Sequence, residues 1–202
     1  MIDSRDGKFY TISKLADGNC WMTQNLALDG GITITPSDSN VTSNVDLPAT
    51  ASSGSSSDTS IQIWAQQSGY DGNYYNWCAA IASASNCNTT TEQTTSICPK
   101  GWRLPSNSGS PSYRNLFDTA GISSMSTDAD KVAAAEAVPY SFTRAGYYNG
   151  GYYVQGSYGY YWSRTPGSSS SAYYFVFGAS YFGPQDDFNK DYGRSVRCVY
   201  GS

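Results

Sequence analysis

Apolar and polar positions alternate in this chain only in short bursts, and those bursts mark where regular structure is expected. Residues 8–15 (KFYTISKL) alternate closely enough for a strand, and Asp17-Gly18 reads as a tight turn into a second strand at 19–26, giving an N-terminal hairpin. Residues 33–60 are Ser, Thr, Asn and Asp with almost nothing apolar, which predicts a long surface excursion, because such a stretch buries too little to order itself. Residues 61–64 begin a short strand or helix. Turn-rich 69–73 then leads into 74–80 (YYNWCAA), a buried element entering a small cysteine loop.

Two helices are expected in the middle of the chain. Ser110 and Pro111 read as an N-cap and a first helical position, with Tyr113, Leu116 and Phe117 on one face. Thr127 caps the second, Asp128 and Asp130 suit its positive end, and the run VAAAEAV stops before Pro139. From Tyr147 the chain turns to Tyr, Gly and Ser, with strands expected at 152–155, 159–163, 173–177 and 195–200. Alternation sends two of Tyr174, Phe175, Val176 and Phe177 into the core. Residues 178–192 (GASYFGPQDDFNKDY) have no consistent period and read as a loop. A hairpin, two helices, then strands and long loops make an α+β fold, read as one domain over 1–202 with a polar insertion at about 33–60.

Composition narrows the chemistry. Of 202 residues, 18 are Tyr, while charged residues make up only 14%; a large, stiff, amphipathic side chain in such surplus points to contact surface as well as core. The net charge is −4, with 12 Lys and Arg scattered rather than clustered, which argues against binding nucleic acid through phosphate neutralisation. Histidine is absent, so the usual general base, the usual metal ligand and any Ser-His or Cys-His nucleophile are missing. Asp186 and Asp187 are adjacent carboxylates, but neighbours on a strand point apart, and no base accompanies any Ser; the chain is expected to be no enzyme. No apolar run is long enough to span a membrane, and no cofactor is expected.

The five cysteines are too widely spaced for a zinc site and fit disulfides formed in an oxidising compartment. Many pairings are open. The favoured ones are Cys78–Cys87, closing a short loop, and Cys98–Cys198, closing a long one that removes about 4–5 kcal/mol of unfolded-state entropy. The second would pin the corner CPKGWRLP (98–105), rich in Pro and Gly, to the terminal SVRCV (195–199). Cys20 is then unpaired, and the opening at Met1 without a signal peptide is read as a trimmed chain whose missing upstream part held its partner. Asn40-Val-Thr and Asn88-Thr-Thr match the glycosylation acceptor pattern, a short pattern that also arises by chance.

The ordered blocks DGKFYTI, CWMTQNL, YNWCAA, CPKGWRLP, YYWSRT and GRSVRCV, from Asp6 to Tyr200, resemble the Fibrobacter succinogenes major paralogous (FISUMP) domain family of bacteria. That resemblance implies a C-type-lectin-like fold of the formylglycine-generating-enzyme branch: paired N- and C-terminal strands, two flanking helices and a long loop region that presents the ligand surface. The catalytic cysteines of that branch have no counterpart here, and the insertion at 33–60 and the 106–112 region are longer and more polar than the family spacing. The calcium motifs of lectins are also absent. Gly183-Pro-Gln-Asp186 has a different order, and Asp186, Asp187 and Asp191 read as a solvated turn, so no metal is expected. Residues 178–193 further resemble the mutated segment of variable proteins of diversity-generating retroelements. All of them except Gln185 and Lys190 belong to the set reachable by mutating adenines of an AAC codon.

The expected function is ligand recognition at the cell surface or outside the cell, as part of a larger exported protein, by a monomer. The ligand would be a protein or glycan on another cell or surface. The contact surface would comprise Tyr173, Ser180, Tyr181, Phe182, Gln185, Asp186, Asp187, Phe188, Asn189, Asp191 and Tyr192, bordered by Tyr160 and Arg164. A structural surface-array domain and a carbohydrate-binding module without a lectin calcium motif are the alternatives.

Overall fold

The last strand of the chain lies inside the first sheet rather than at its edge. In the computed structural model, which describes residues 1–83 and 87–201, a four-stranded antiparallel sheet runs in the order Ile12–Lys14, Cys20–Met22, Val199–Tyr200, Trp102–Arg103. Val199 faces Trp21 on one side and Arg103 on the other, so the terminal strands pair as expected and the CPKGWRLP corner completes the sheet. Regular pairing is shorter than the apolar runs, but hydrogen bonding continues past it: Met22 N donates to Cys198 O and Leu26 N to Val196 O, each at 2.9 Å. The disulfides are Cys98–Cys198 (Cα–Cα 5.9 Å) and Cys78–Cys87 (Cα–Cα 5.2 Å), with Cys20 free. Residues 84–86 of the small cysteine loop, and Ser202, lie outside the described residues.

A second sheet has three antiparallel strands, Tyr158–Pro166, Ser171–Gly178 and Tyr181–Asn189. The third strand overturns the expectation of a loop at 178–192. It pairs from Gly178↔Tyr181 to Ser171↔Asn189, with a register shift opposite Tyr174 and Val176. That bulge, with Pro184 beside it, breaks the two-residue period by which a strand is recognised; proline is tolerated there because the strand is an edge. The sheet is also covered on both faces. Phe175 and Phe177 point one way and Tyr174 and Val176 the other, and all four are buried, not two.

The helices cover the first of those faces. Tyr113–Thr119 contributes Tyr113, Leu116 and Phe117, and Asp128–Glu136 contributes Val132 and Ala135, to a core shared with Trp21, Phe142, Tyr161, Phe175 and Phe177. Thr127 caps the second helix as expected, accepting from Asp130 N at 3.1 Å with Asp128 and Asp130 in the first turn; the helix ends at Glu136. The first helix starts later than its sequence implies. Ser112, not Ser110, is the cap, accepting from Asn115 N at 3.0 Å. Pro111 precedes the helix on a cis bond and offers its carbonyl to Ser106 N at 2.9 Å.

The polar stretch at 33–60 is likewise no free excursion. Thr33–Ile34 pairs with Val45–Asp46 and Ser39–Asn40 with Ser96–Pro99, while Ile34, Val41, Val45 and Leu47 enter the larger core. A few irregularly spaced apolar side chains suffice because the turn between them is closed by polar groups, Asp38 Oδ1 accepting from Thr35 N at 3.0 Å. The Asn40 amide is engaged inside this arrangement, donating to Trp102 O at 2.6 Å. The strand Tyr152–Tyr153 is a two-residue remnant of the expected 152–155, and residues 61–80 resolve into the strands Ile63–Ala65 and Asn73–Tyr75 followed by the helical turn Trp77–Ala80. A mixed α+β chain with two disulfide staples is the result.

Two stability measurements follow from this frame. Replacing both Cys98 and Cys198 by Ala, across a separation of 100, should lower the unfolding free energy in urea by about 4.5 kcal/mol, against about 2.5 kcal/mol for Cys78 and Cys87 at a separation of 9. Burial raises Tyr75 and Tyr113 well above the ordinary 10.0 and also raises Tyr10 and Tyr74. Their contribution is fully present below pH 10, where the unfolded chain is still protonated, and is lost as pH rises beyond it, because the unfolded chain sheds those protons first. Lys190, lowered from 10.5 to about 8 by burial, works in the opposite direction between those values, one group against several. Part of the tyrosinate absorbance should therefore be withheld until the fold is lost and then appear in one cooperative step; ionisation of all 18 tyrosines with the fold intact would contradict this.

Candidate functional site

Between the terminal strand and the outer face of the three-stranded sheet lies an aromatic cup of about 250 Å³, lined by Tyr147, Tyr160, Tyr174, Phe188, Tyr192 and Arg194. Its floor is built by residues 193–195, stitched to neighbours along their length. Gly193 and Tyr148 exchange hydrogen bonds at 2.8 Å, Arg194 N donates to Tyr75 O at 2.9 Å, and Ser195 N donates to Tyr160 O at 3.0 Å. Position 193 must be glycine, because a Cβ there would meet the Trp64 ring at 2.8 Å. The Arg194 side chain is thereby directed among rings: its guanidinium carbon lies 3.8 Å from the Tyr174 centroid, 4.2 Å from Trp162, 5.7 Å from Tyr160, 5.6 Å from Tyr192 and 6.0 Å from Phe188. Burial lowers Arg194 to about 10 and raises Tyr160 to about 12.

The cup opens onto a ladder of rings. Tyr153 stacks on Tyr147 at 5.2 Å, Tyr147 on Tyr192 at 5.3 Å, and Phe188 meets Tyr192 edge-on at 5.2 Å. Tyr153 and Phe188 at its ends are 47% and 45% exposed, large values for such side chains within a packed ladder.

The residues singled out from sequence do not form one patch. Tyr160, Phe188 and Tyr192 line the cup. Tyr181 and Asp186 pair with each other, the phenol donating to Oδ2 at 2.5 Å, and that carboxylate raises Tyr181 to about 12. Ser180, in the tip between the last two strands, and Asp187 are exposed. Asn189 and Asp191 border a separate polar hollow with Ser56, Ser57, Asp58 and Ser170. Gln185 is turned toward the helical side, accepting from Arg114 Nη1 at 2.6 Å and donating to Asn107 O at 2.8 Å. Phe182 is half-buried and turned toward the helical side, its ring packing on Phe117 at 5.0 Å and Phe175 at 5.3 Å at the edge of that core. Arg164 is committed to Glu92 at 2.8 Å, and half-buried Tyr173 is outside the cup lining. Tyr147, Tyr153, Tyr174 and Arg194 were missed. The dense Tyr run 147–153 was the available signal for the first two.

Lys190 fixes this region from below. Fully buried, its ammonium donates to the carbonyls of Cys87 (3.0 Å), Thr89 (2.8 Å), Ser168 (2.8 Å) and Ser169 (3.0 Å) and lies 4.4 Å from the Trp77 ring centroid. It ties the end of the edge strand to the 167–170 turn and to the loop after Cys87. Among the described residues, no group of three or more His, Cys, Asp or Glu is placed to hold a metal ion, and no helix is long and apolar enough to cross a membrane.

The model of the Fibrobacter succinogenes major domain matches residues 16–200, taking in the corner, the disulfide between Cys98 and Cys198, the cup and the cage around Lys190. The chain belongs to that family. No curated protein and no solved structure matches it. The DGKFYTI block precedes the matched part of this Fibrobacter succinogenes major domain.

Lys190→Met should destabilise the domain by about 3 kcal/mol, because the buried Cys87 carbonyl and three partly buried ones lose their donor while Met refills only the volume. The midpoint of urea unfolding should fall at unchanged m-value; an unshifted midpoint would show that the cage carries no stability.

Proposed function

We propose that this domain is a non-catalytic recognition module, displayed outside the cell as part of a larger exported protein, that grips a protein or glycan partner with the Tyr153–Tyr147–Tyr192–Phe188 ladder and the cup beneath it. The observation that carries the reading is that ladder: contiguous, solvent-reaching aromatic side chains with few rotatable bonds are what recognition surfaces are made from. The two disulfides fit an oxidising compartment. Paired terminal strands, two flanking helices and the site's position just ahead of the closing strand are consistent with a C-type-lectin-like fold.

A recognition role is also consistent with the carboxylates. Asp186 is engaged by Tyr181, and Asp187 lies opposite Tyr173 where Asp186 lies opposite Tyr174, so the two alternate across the strand and form no acid and base pair. The edge strand Tyr181–Asn189 has exposed side chains at Tyr181, Asp187, Phe188 and Asn189, positions where substitution costs the fold little, as retroelement diversification would require. The surface-array alternative has no need for an aromatic ladder.

The test compares wild type with Tyr153→Ser/Phe188→Ser on a glycan array and against a panel of purified extracellular proteins. Both side chains are exposed, so the variant should melt within a few degrees of wild type and lose at least about tenfold in affinity for whatever ligand is found. Equal retention by the two proteins would sink the assignment.

A further inference from the structure

Two arginines three residues apart are both fully buried, and they are treated differently. Arg197 has a partner on each of its three nitrogens: Nε donates to Asn25 Oδ1 at 2.9 Å, Nη1 to Tyr140 O at 2.7 Å, and Nη2 to Ser141 O. Arg194 is 2% exposed, yet its Nε and Nη1 have no hydrogen-bond partner among the described residues. The rings around it stabilise the charge, but a ring face is a poor acceptor for an N–H, so these donors remain unspent. Asp191 acts on the guanidinium only through space; its Oδ2 accepts from Ser56 Oγ at 3.4 Å and its buried Oδ1 makes no hydrogen bond, to Arg194 or to any other described residue. A buried group left unsatisfied in this way calls for a partner that arrives from outside.

The cup indicates the kind of partner. About 250 Å³ accommodates a single ring-sized group rather than an extended chain. Its walls are the faces and edges of Tyr147, Tyr160 and Tyr192, suited to a flat or ring-shaped body, and its floor carries one positive charge. Asp186 on the strand beside it and Asp191 near the guanidinium would repel a doubly charged phosphate more than a single carboxylate.

We propose that the cup binds a carboxylate carried on one ring-sized group, the anion accepting from the Arg194 guanidinium at its floor and the ring lying against Tyr147, Tyr160 and Tyr192. This deepens the recognition reading above and rests on it. The same chemistry is offered by a uronic acid and by the carboxylate of an aromatic amino acid.

Calorimetric titration with D-glucuronate and with N-acetyl-phenylalanine, each beside its neutral counterpart, D-glucose and N-acetyl-phenylalaninamide, tests the assignment and separates the two sources. At least one acid should bind, with its neutral counterpart at least tenfold weaker. Arg194→Met should abolish that preference without lowering the melting temperature, since it removes a buried, incompletely satisfied charge; a purely structural arginine would cost several degrees. Should that variant fail to fold, Tyr192→Ala, at the half-buried rim, must weaken the acid at least tenfold. Neutral compounds binding as well as acids would overturn the carboxylate assignment and leave the recognition reading standing. Neither acid binding would overturn it too, and if Tyr153→Ser/Phe188→Ser also left every array ligand unaffected, the recognition reading would fall with it.

Discussion

The bond between Cys98 and Cys198 holds the terminal segment where the rest of the molecule can be built around it. Residues 193–200 pair in turn with Tyr148, Tyr75, Tyr160, the Leu26 and Met22 amides, Trp21 and Arg103. The segment is an axis, cross-linked at one end and hydrogen-bonded to elements from the whole sequence, and both buried arginines project from it. Arg197 fastens the helical side through Asn25, Tyr140 and Ser141; Arg194 faces the aromatic side.

That axis also explains how an aromatic surplus serves two ends. On one face of the three-stranded sheet, Tyr161, Phe175 and Phe177 meet the helices and are wholly buried. On the other, Tyr160 and Tyr174 meet Arg194 and open toward solvent through Tyr147, Tyr192 and Phe188. The same residue type is core or surface according to which side of one pleated strand it occupies.

Much of the frame was legible because its signals are local or combinatorial. Thr127 followed by Asp128 and Asp130 marks a helix start on its own, and excluding zinc leaves the cysteines to disulfides, though which of the open pairings form, Cys78–Cys87 and Cys98–Cys198, is decided by the fold. What escaped depends on distant partners. Ile34, Val41, Val45 and Leu47 look negligible within a polar stretch until the core they reach is known. The edge strand 181–189 hides behind a bulge and Pro184, which erase its period. Arg194 stands beside an ordinary strand block, and what distinguishes it is the lack of an acceptor on two of its nitrogens, a property of space that no residue pattern encodes.

Lys190 has a consequence for the conditions under which the domain keeps its shape. Loops that converge on a cavity of carbonyl oxygens are commonly ordered by a divalent ion drawn from the medium, and then slacken under chelation. In this chain the cation at such a convergence is covalently part of the polypeptide, donating to four carbonyls from residues 87, 89, 168 and 169. The loops flanking the aromatic face are thus ordered by a charge that chelation and dilution cannot remove, though one that deprotonation above about pH 8 can.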